Sequence, residues 1–313
     1  MKSSEILKKL LDPYWFKPLL KAPNSELRTH TLTRRLFLRY LLGLPLLSSF
    51  PVPALELWAE VPVLPRRREG NSIGEFFKGE ELHYIIGVWL FKKVALGRIS
   101  FKAMKEKGRY LSTLQGETLG ILGWVARYRT DTYRSVMEEI DGGKRLRSIS
   151  FEEEAKIGSR LRRRTNFFDY RKRKWIQVRL RKDGTQGRTE EEIPPGMVYD
   201  DFITAAYNFR YGVYGEIERG RKYTVATFPK KGPSSYEVIV ASKEEEEKRK
   251  KSEKFKDGKE YLLKLFLDPE VTHSKEGLIE GWLSKELYPT EGTIKGVKFF
   301  GDIKGTLIKK AQS

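Results

Sequence analysis

The chain has no cysteine among its 313 residues, and only three histidines and four methionines. The first absence excludes a disulfide framework, a thiolate metal site and a cysteine nucleophile. With so few imidazoles, no tightly held transition metal and no cofactor are expected. Acidic residues are also in deficit: 42 Asp and Glu stand against 61 Lys and Arg, a formal net charge of +19. Such an excess points to anionic partners and says nothing of the fold. Nor is there an uncharged apolar run long enough to span a bilayer. The longest, Tyr40 to Leu55, falls short of the roughly 20 residues needed.

That run follows Thr33-Arg34-Arg35-Leu36-Phe37-Leu38-Arg39. Paired arginines ahead of a short apolar stretch make a bacterial export signal of the twin-arginine kind, carried here by Arg34, Arg35, Phe37 and Leu38. Pro45, Pro51 and Pro53 argue against one continuous core helix. Val52-Pro53-Ala54 offers a cleavage site after Ala54; an uncleaved leader would act as a membrane anchor. The expected organisation is a leader at 1–54, a linker at 55–75 and one exported domain at 76–309, with the periplasm as destination and the export translocase as a partner. About 250 residues beyond the leader suffice for one large domain with a proper core.

Past residue 70 the dominant period is two. Leu82, Tyr84, Ile86 and Val88 alternate with their neighbours, and Val94–Met104 and Tyr110–Gln115 follow as strand-like runs. Thr132–Ile140 and Leu146–Phe151 flank Asp141-Gly142-Gly143, a hairpin signal, and Thr165–Tyr170 and Lys174–Leu180 flank the basic turn Arg171-Lys172-Arg173. Further strands are expected at Lys222–Phe228, Tyr236–Ala241, Lys259–Leu267, Gly277–Leu283, Thr293–Phe299 and Ile303–Ile308. Short strands at regular spacing predict a mainly β protein, an antiparallel sheet curled into an open or closed barrel.

Two segments break the pattern. Phe202, Ala205, Ala206 and Phe209 share one helical face, Asp200 and Asp201 stand where an N-cap is favoured, and Gly212 follows as a stop. One short helix packed on the sheet is predicted there. In the charged insert 243–256, each of Glu244 to Glu247 has a basic residue four positions on, the pattern of an exposed helix. With no apolar stripe to bury, it reads as a solvated hairpin extension or loop.

Several motifs recur in a known order. Gly79-Glu80-Glu81-Leu82-His83-Tyr84 with Gly97 has the look of an opening hairpin. Tyr128-Arg129-Thr130-Asp131-Thr132-Tyr133-Arg134-Ser135 and Phe168-Asp169-Tyr170 stand as middle strands. Ile193-Pro194-Pro195-Gly196 leads through Asp200-Asp201 and Ala205-Ala206-Tyr207 to Arg210, and Trp282-Leu283-Ser284, Pro289 and Phe300-Gly301-Asp302-Ile303 close the series. Together they resemble the domain-of-unknown-function 3108 family over roughly Phe76 to Leu307. The resemblance implies export and a β fold, and brings no catalytic residue with it. Lys285-Glu286 stand where an acidic pair is usual in that family, and the charged insert is foreign to it.

The chain shows no Gly-x-Ser-x-Gly elbow, no His-Glu-x-x-His and no phosphate-cradling glycine loop. His83 reads as a hydrogen-bonded strand residue and His273 as a loop residue. Gly116, Gly120 and Gly123 are spaced wrongly for a dinucleotide loop and suit turns or a sheet bend. A carboxylate-dependent hydrolase using Asp200 and Asp201 is the enzymatic alternative, although adjacent carboxylates at a helix start more often cap it.

The basic residues are more informative. Arg160, Arg162 and Arg164 share one strand face; across the turn Ile176, Val178 and Leu180 are expected inward, with Gln177, Arg179 and Arg181 outward. A plain reading is a solvated sheet face that resists aggregation. The functional one is recognition of phosphate-bearing envelope material, since arginine suits phosphate bidentately. Aromatics at Phe167, Phe168, Tyr170 and Trp175 would also suit nucleic acid, a partner that an export signal disfavours. Trp89, Trp124, Tyr207, Phe209 and Trp282 are the aromatics expected to line a concavity beside the helix. The expectation is thus an exported, non-enzymatic binding or envelope-maintenance protein for an anionic or apolar envelope molecule. The alternative is a scaffold that docks an acidic envelope protein through the basic hairpin.

Overall fold

The computed structural model describes residues 71–88, 91–125, 127–181, 184–228, 235–252, 258–267, 274–297 and 301–312. Arg34, Arg35, Phe37 and Leu38 of the leader lie outside them, as do Trp89 and His273.

Fourteen strands form one sheet. The first eight are β1 (Glu80–Val88), β2 (Phe91–Ala103), β3 (Arg109–Thr118), β4 (Thr130–Ile140), β5 (Arg145–Ile157), β6 (Arg160–Asp169), β7 (Lys174–Leu180) and β8 (Gln186–Glu192). The second set is β9 (Lys222–Ala226), β10 (Ser235–Val240), β11 (Tyr261–Phe266), β12 (Leu278–Leu283), β13 (Pro289–Val297) and β14 (Gly301–Gln312). Their order is β8-β7-β6-β5-β4-β3-β2-β1-β14-β13-β12-β11-β10-β9. Each set is a meander of sequence neighbours, and β1 pairs antiparallel with β14, Glu80 opposite Gln312 and Val88 opposite Ile303. The end strands β8 and β9 do not pair with each other, so hydrogen bonds do not close the barrel.

The hairpins follow from local chemistry. Asp141, Gly142 and Gly143 turn β4 into β5 with φ of 53°, 65° and 82°, a left-handed stretch that two glycines make accessible. The predicted helix is α3 (Phe202–Tyr211). Asp201 caps it, its side chain accepting from the amides of Ile203 and Thr204, and Gly212 ends it with φ 85° while its N–H returns to Asn208 and Phe209 carbonyls.

Helix α3 lies on one face of the sheet, hereafter the inner face, and supplies side chains to both meanders. Tyr207 meets Phe101 at 4.7 Å between ring centroids and Phe77 at 4.9 Å. Phe77 belongs to a short helix, α1 (Ile73–Phe77). Met137, Leu146, Phe151, Phe168 and Trp175 complete this part of the core. On its other side Phe209 packs with Ile217, Tyr223, Val240, Tyr261 and Leu283 of the second meander. Phe228, just past β9, packs at a tilt against Phe151, Phe168 and Trp175 at 6.2, 5.2 and 5.5 Å. Near α3, side chains thus bridge the two ends of the sheet where backbone pairing does not.

Three expectations need correction. The helix at 202–211 is accompanied by α1, by α2 (Gly120–Val125) and by α4 (Lys243–Ser252). Over its described residues 243–252 the charged insert is neither a hairpin extension nor a solvated loop but α4, seated on the outer face of the second meander. Glu246 is buried, accepting from the Leu262 amide at 3.1 Å and from Arg219 Nε at 2.9 Å, while Arg249 pairs with Glu280 and Glu245 with Lys264. Ion pairs seat this helix where an apolar stripe is missing. The third correction concerns β7. Trp175 and Gln177 face inward and Ile176, Val178 and Leu180 do not. Asn166 sets this register, its Oδ1 accepting from Trp175 Nε1 at 3.2 Å and from Gln177 Nε2 at 3.0 Å. Burying the indole outweighs burying the smaller aliphatics.

Candidate functional site

Asp200 and Asp201 are both fully buried, yet they do different things. Asp201 Oδ2 accepts from Ser135 Oγ at 2.6 Å, Ser148 Oγ at 2.7 Å and Thr204 Oγ1 at 2.8 Å, and Oδ1 takes the two helix amides at 2.9 and 3.1 Å. Five donors commit this carboxylate to holding α3 on β4 and β5. Asp200 Oδ2 accepts from the Tyr214 hydroxyl, from Asn208 Nδ2 at 3.1 Å and from Arg145 Nη2 at 3.2 Å, while Oδ1 meets no donor among the described residues. Burial pushes its pKa up to about 6, against the pull of Arg145, Tyr214 and Asn208. Tyr214 is pushed upward by burial and by Asp200, so it remains the donor.

The other end of α3 is held by Arg210. Its guanidinium donates to both oxygens of Glu80 at 2.8 and 2.6 Å and to the Leu287 carbonyl at 2.7 Å, and lies over the Phe77 ring at 4.7 Å. Leu287 has φ 63°, a left-handed backbone that aims its carbonyl at this arginine. Asp201 and Arg210 are therefore occupied in fixing the helix.

The accessible chemistry lies farther along the inner face. Ladder partners share a face, so the row through the core, Phe101, Ser112, Ser135, Phe151, Asn166 and Gln177, defines which residues follow it. The next row runs Ile99, Leu114, Tyr133, Glu153, Arg164 and Arg179, and beyond it come Arg162 opposite Ala155 and Arg160 opposite Ile157. Arg181 folds over Gly187, the residue opposite Arg179: a Cβ there would come within 3.1 Å of its Nε. The five arginines singled out from sequence do come together, but on the inner face rather than the outer one.

Their neighbours differ from those of the outer-face charges. Outside, Arg134 pairs with Glu152, Lys174 with Glu190, and Arg163 with Glu154 at 2.8 Å. Inside, Arg164 has Glu153 at 2.8 Å, whereas Arg160, Arg162, Arg179 and Arg181 have no carboxylate partner among the described residues. Arg179 donates to the Gln177 amide oxygen. Arg164 and Arg179 stand directly opposite each other, a like-charge pairing that weakens a ladder. At the far side of the same row Ile99 and Leu114 are only half-buried, so one strip of sheet carries cations at one end and aliphatics at the other.

The suspected aromatics are dispersed. Tyr207 and Phe209 are core residues of α3; Trp282 is buried on the opposite face with Leu262 and Ala241 beneath α4; Trp124, on α2, is 64% exposed. They do not line one concavity. His83 Nε2 lies 2.6 Å from Glu81 Oε1 on the outer face, and Arg98 with His83 holds the Glu81 carboxyl below the usual range. No group of three metal-ligating side chains occurs among the described residues. Sequence reasoning missed Arg145, Asn208 and Tyr214 around Asp200, and Glu80 beneath Arg210.

No curated protein matches this sequence. A crystal structure described as a beta-barrel-like protein of domain of unknown function DUF1849 from Brucella abortus aligns with 76% of this chain and 98% of that one, at 12% identity and a TM-score of 0.39. That likeness is too distant to argue from. The family model described as protein of unknown function (DUF3108) matches residues 81–307. The central helix and the arginine-bearing hairpin fall within that span, and the chain belongs to the DUF3108 family.

Proposed function

We propose that this is an exported, non-enzymatic binding protein of the periplasm whose inner sheet face takes a phosphate-bearing amphipathic envelope molecule. One observation carries the reading: the neighbouring outer-face cations Arg134, Arg163 and Lys174 are matched with glutamates, whereas Arg160, Arg162, Arg179 and Arg181 on the inner face have no carboxylate partner among the described residues. A protein that needs those cations only for solubility gains nothing from setting Arg164 opposite Arg179. An anion bridging the two guanidinium groups removes the repulsion and uses the bidentate geometry arginine offers. The half-buried Ile99 and Leu114 on the same row suit the apolar part of such a molecule.

The test is calorimetric titration of the wild type, of Arg162→Glu/Arg164→Glu and of Arg163→Glu with lipopolysaccharide and with short-chain phosphatidylglycerol. Binding by the wild type and by Arg163→Glu, lost in the double variant, is the expected result. Equal binding by all three, or by none, overturns it. Salt-sensitive co-purification of an acidic envelope protein, lost in the same double variant, would instead favour the scaffold reading. Export is tested separately by fractionating cells carrying Arg34→Lys/Arg35→Lys, which should retain the protein in the cytoplasm.

A further inference from the structure

Two turns and the start of β2 are contiguous at one end of the first meander. The connection from β3 to β4, which contains α2, touches β2 through Leu119 N–H to the Val94 carbonyl at 2.8 Å. It touches the β5–β6 turn through Gly158 N–H to the Arg127 carbonyl at 2.9 Å. Strand β2 begins three residues before Val94, at Phe91. These segments expose Phe91 (47%), Trp124 (64%), Tyr128 (62%) and Leu161 (41%), and no other large apolar side chain among the described residues is as exposed as Trp124 or Tyr128. Exposed aromatics gathered at one rim differ from the singly scattered apolar residues of an ordinary surface.

Charge is segregated there too. Lys92, Lys93, Arg127, Lys156 and Arg160 are all exposed, and residues 88–94, 118–130 and 155–162 contain no aspartate or glutamate. The flanking carboxylates are Glu117, Asp131 and Glu154; Asp131 is taken up by Arg129 at 2.8 Å and Glu154 by Arg163 at 2.8 Å. The backbone adds a third observation. Arg127 and Tyr128 are consecutive non-glycine residues with φ of 57° and 49°, a conformation that carries strain. Hydrogen bonds from Arg127 N–H to the Trp124 carbonyl and from Tyr128 N–H to the Gly123 carbonyl hold it, and the two aromatics are left facing solvent.

We infer that this rim docks the protein on an anionic lipid bilayer. Indole and phenol rings suit the headgroup layer, where an apolar body and a polar edge are both satisfied, and lysine and arginine beside them are drawn to acidic headgroups. The occupant is argued from this charge complementarity; a protein partner with an acidic surface would leave four apolar side chains unaccounted for. The inference rests on the turns and stands whether or not the inner face holds a ligand.

Because the chain has no cysteine, one introduced thiol reports on one place. Trp124→Cys and Met104→Cys, the latter an exposed control on the β2–β3 turn at the opposite end of the strands, are each labelled in the full chain with a polarity-sensitive dye. They are mixed with vesicles of phosphatidylcholine alone or with a quarter phosphatidylglycerol. A blue shift at position 124 and not at 104, seen with phosphatidylglycerol and reversed by high salt or by Lys92→Glu/Lys93→Glu, is expected. No shift at either position, equal shifts at both, or a shift that is indifferent to phosphatidylglycerol overturns the inference. A concentration-dependent shift at 124 without vesicles assigns the rim to self-association, which also overturns it. Arginine-face binding is read independently by the titration above.

Discussion

Glu80 and Arg210, 130 residues apart, share two hydrogen bonds of 2.8 and 2.6 Å with both side chains almost wholly buried. The pair ties the first strand to the central helix, and Arg210 carries the link on to Leu287 of the second meander. Glu80→Gln should cost about 3–5 kcal/mol, because it leaves a buried guanidinium without its counter-charge. Replacing both residues by leucine and methionine should cost distinctly less. Urea unfolding of the wild type and the two variants measures the difference, and equal losses would show that the pair is no unit.

Asp200 makes stability depend on pH in the direction opposite to the common carboxylate. Its folded pKa is raised to about 6 from an ordinary 3.8, chiefly by burial. Between those values the folded state holds a proton that the unfolded chain has released, so stability is greatest below about 4 and falls as pH rises to about 6. The shift corresponds to about 3 kcal/mol at most. Asp200→Asn should abolish this component, so the difference in melting temperature between variant and wild type should grow from pH 4 to pH 7. A difference that stays flat across that range rejects the assignment.

Helix α4 offers a test of how a helix without an apolar stripe is held. Glu246→Ala removes the acceptor of both Arg219 and the Leu262 amide and should cost about 2 kcal/mol. Hydrogen exchange should quicken across Lys243–Ser252 and in β11. Deleting 243–256 should destabilise the domain, since it uncovers Trp282 and Leu262; a solvated loop would be lost without consequence.

Two glycines should respond oppositely. A Cβ at Gly292 would meet nothing within 4 Å, so Gly292→Ala should gain about 0.5–1 kcal/mol. At Gly212, φ is 85°, and Gly212→Ala should cost about 1 kcal/mol through the strained helix end. Thermal melts of both variants check the pair of signs.

Much of this architecture was legible in the residues. Alternation found the strands, Asp141-Gly142-Gly143 found a hairpin, and Asp201 with Gly212 bounded the helix, because each is local chemistry. Strand β8 was missed, since Gln186–Glu192 has no apolar alternation and forms as an edge against β7. The sidedness of β7 was inverted because a periodicity of two marks two faces without saying which is buried. That choice was made by Asn166, a residue on another strand. The grouping of the five arginines was legible; that four of them lack a carboxylate partner among the described residues was not, because it depends on where the glutamates of β5 point.

The pairing of β1 with β14 has a consequence for the order of events in a cell. Every other strand pair of the sheet joins sequence neighbours and can form as the chain emerges from the ribosome, whereas the β1–β14 seam joins residues 80–88 to residues 303–312. Until residue 312 has been made, β1 is an uncovered edge, and the seam forms last. A protein built this way is poorly served by being threaded outward while still growing. The export proposed above accords with this order, because the route that paired arginines serve carries a finished fold across the membrane.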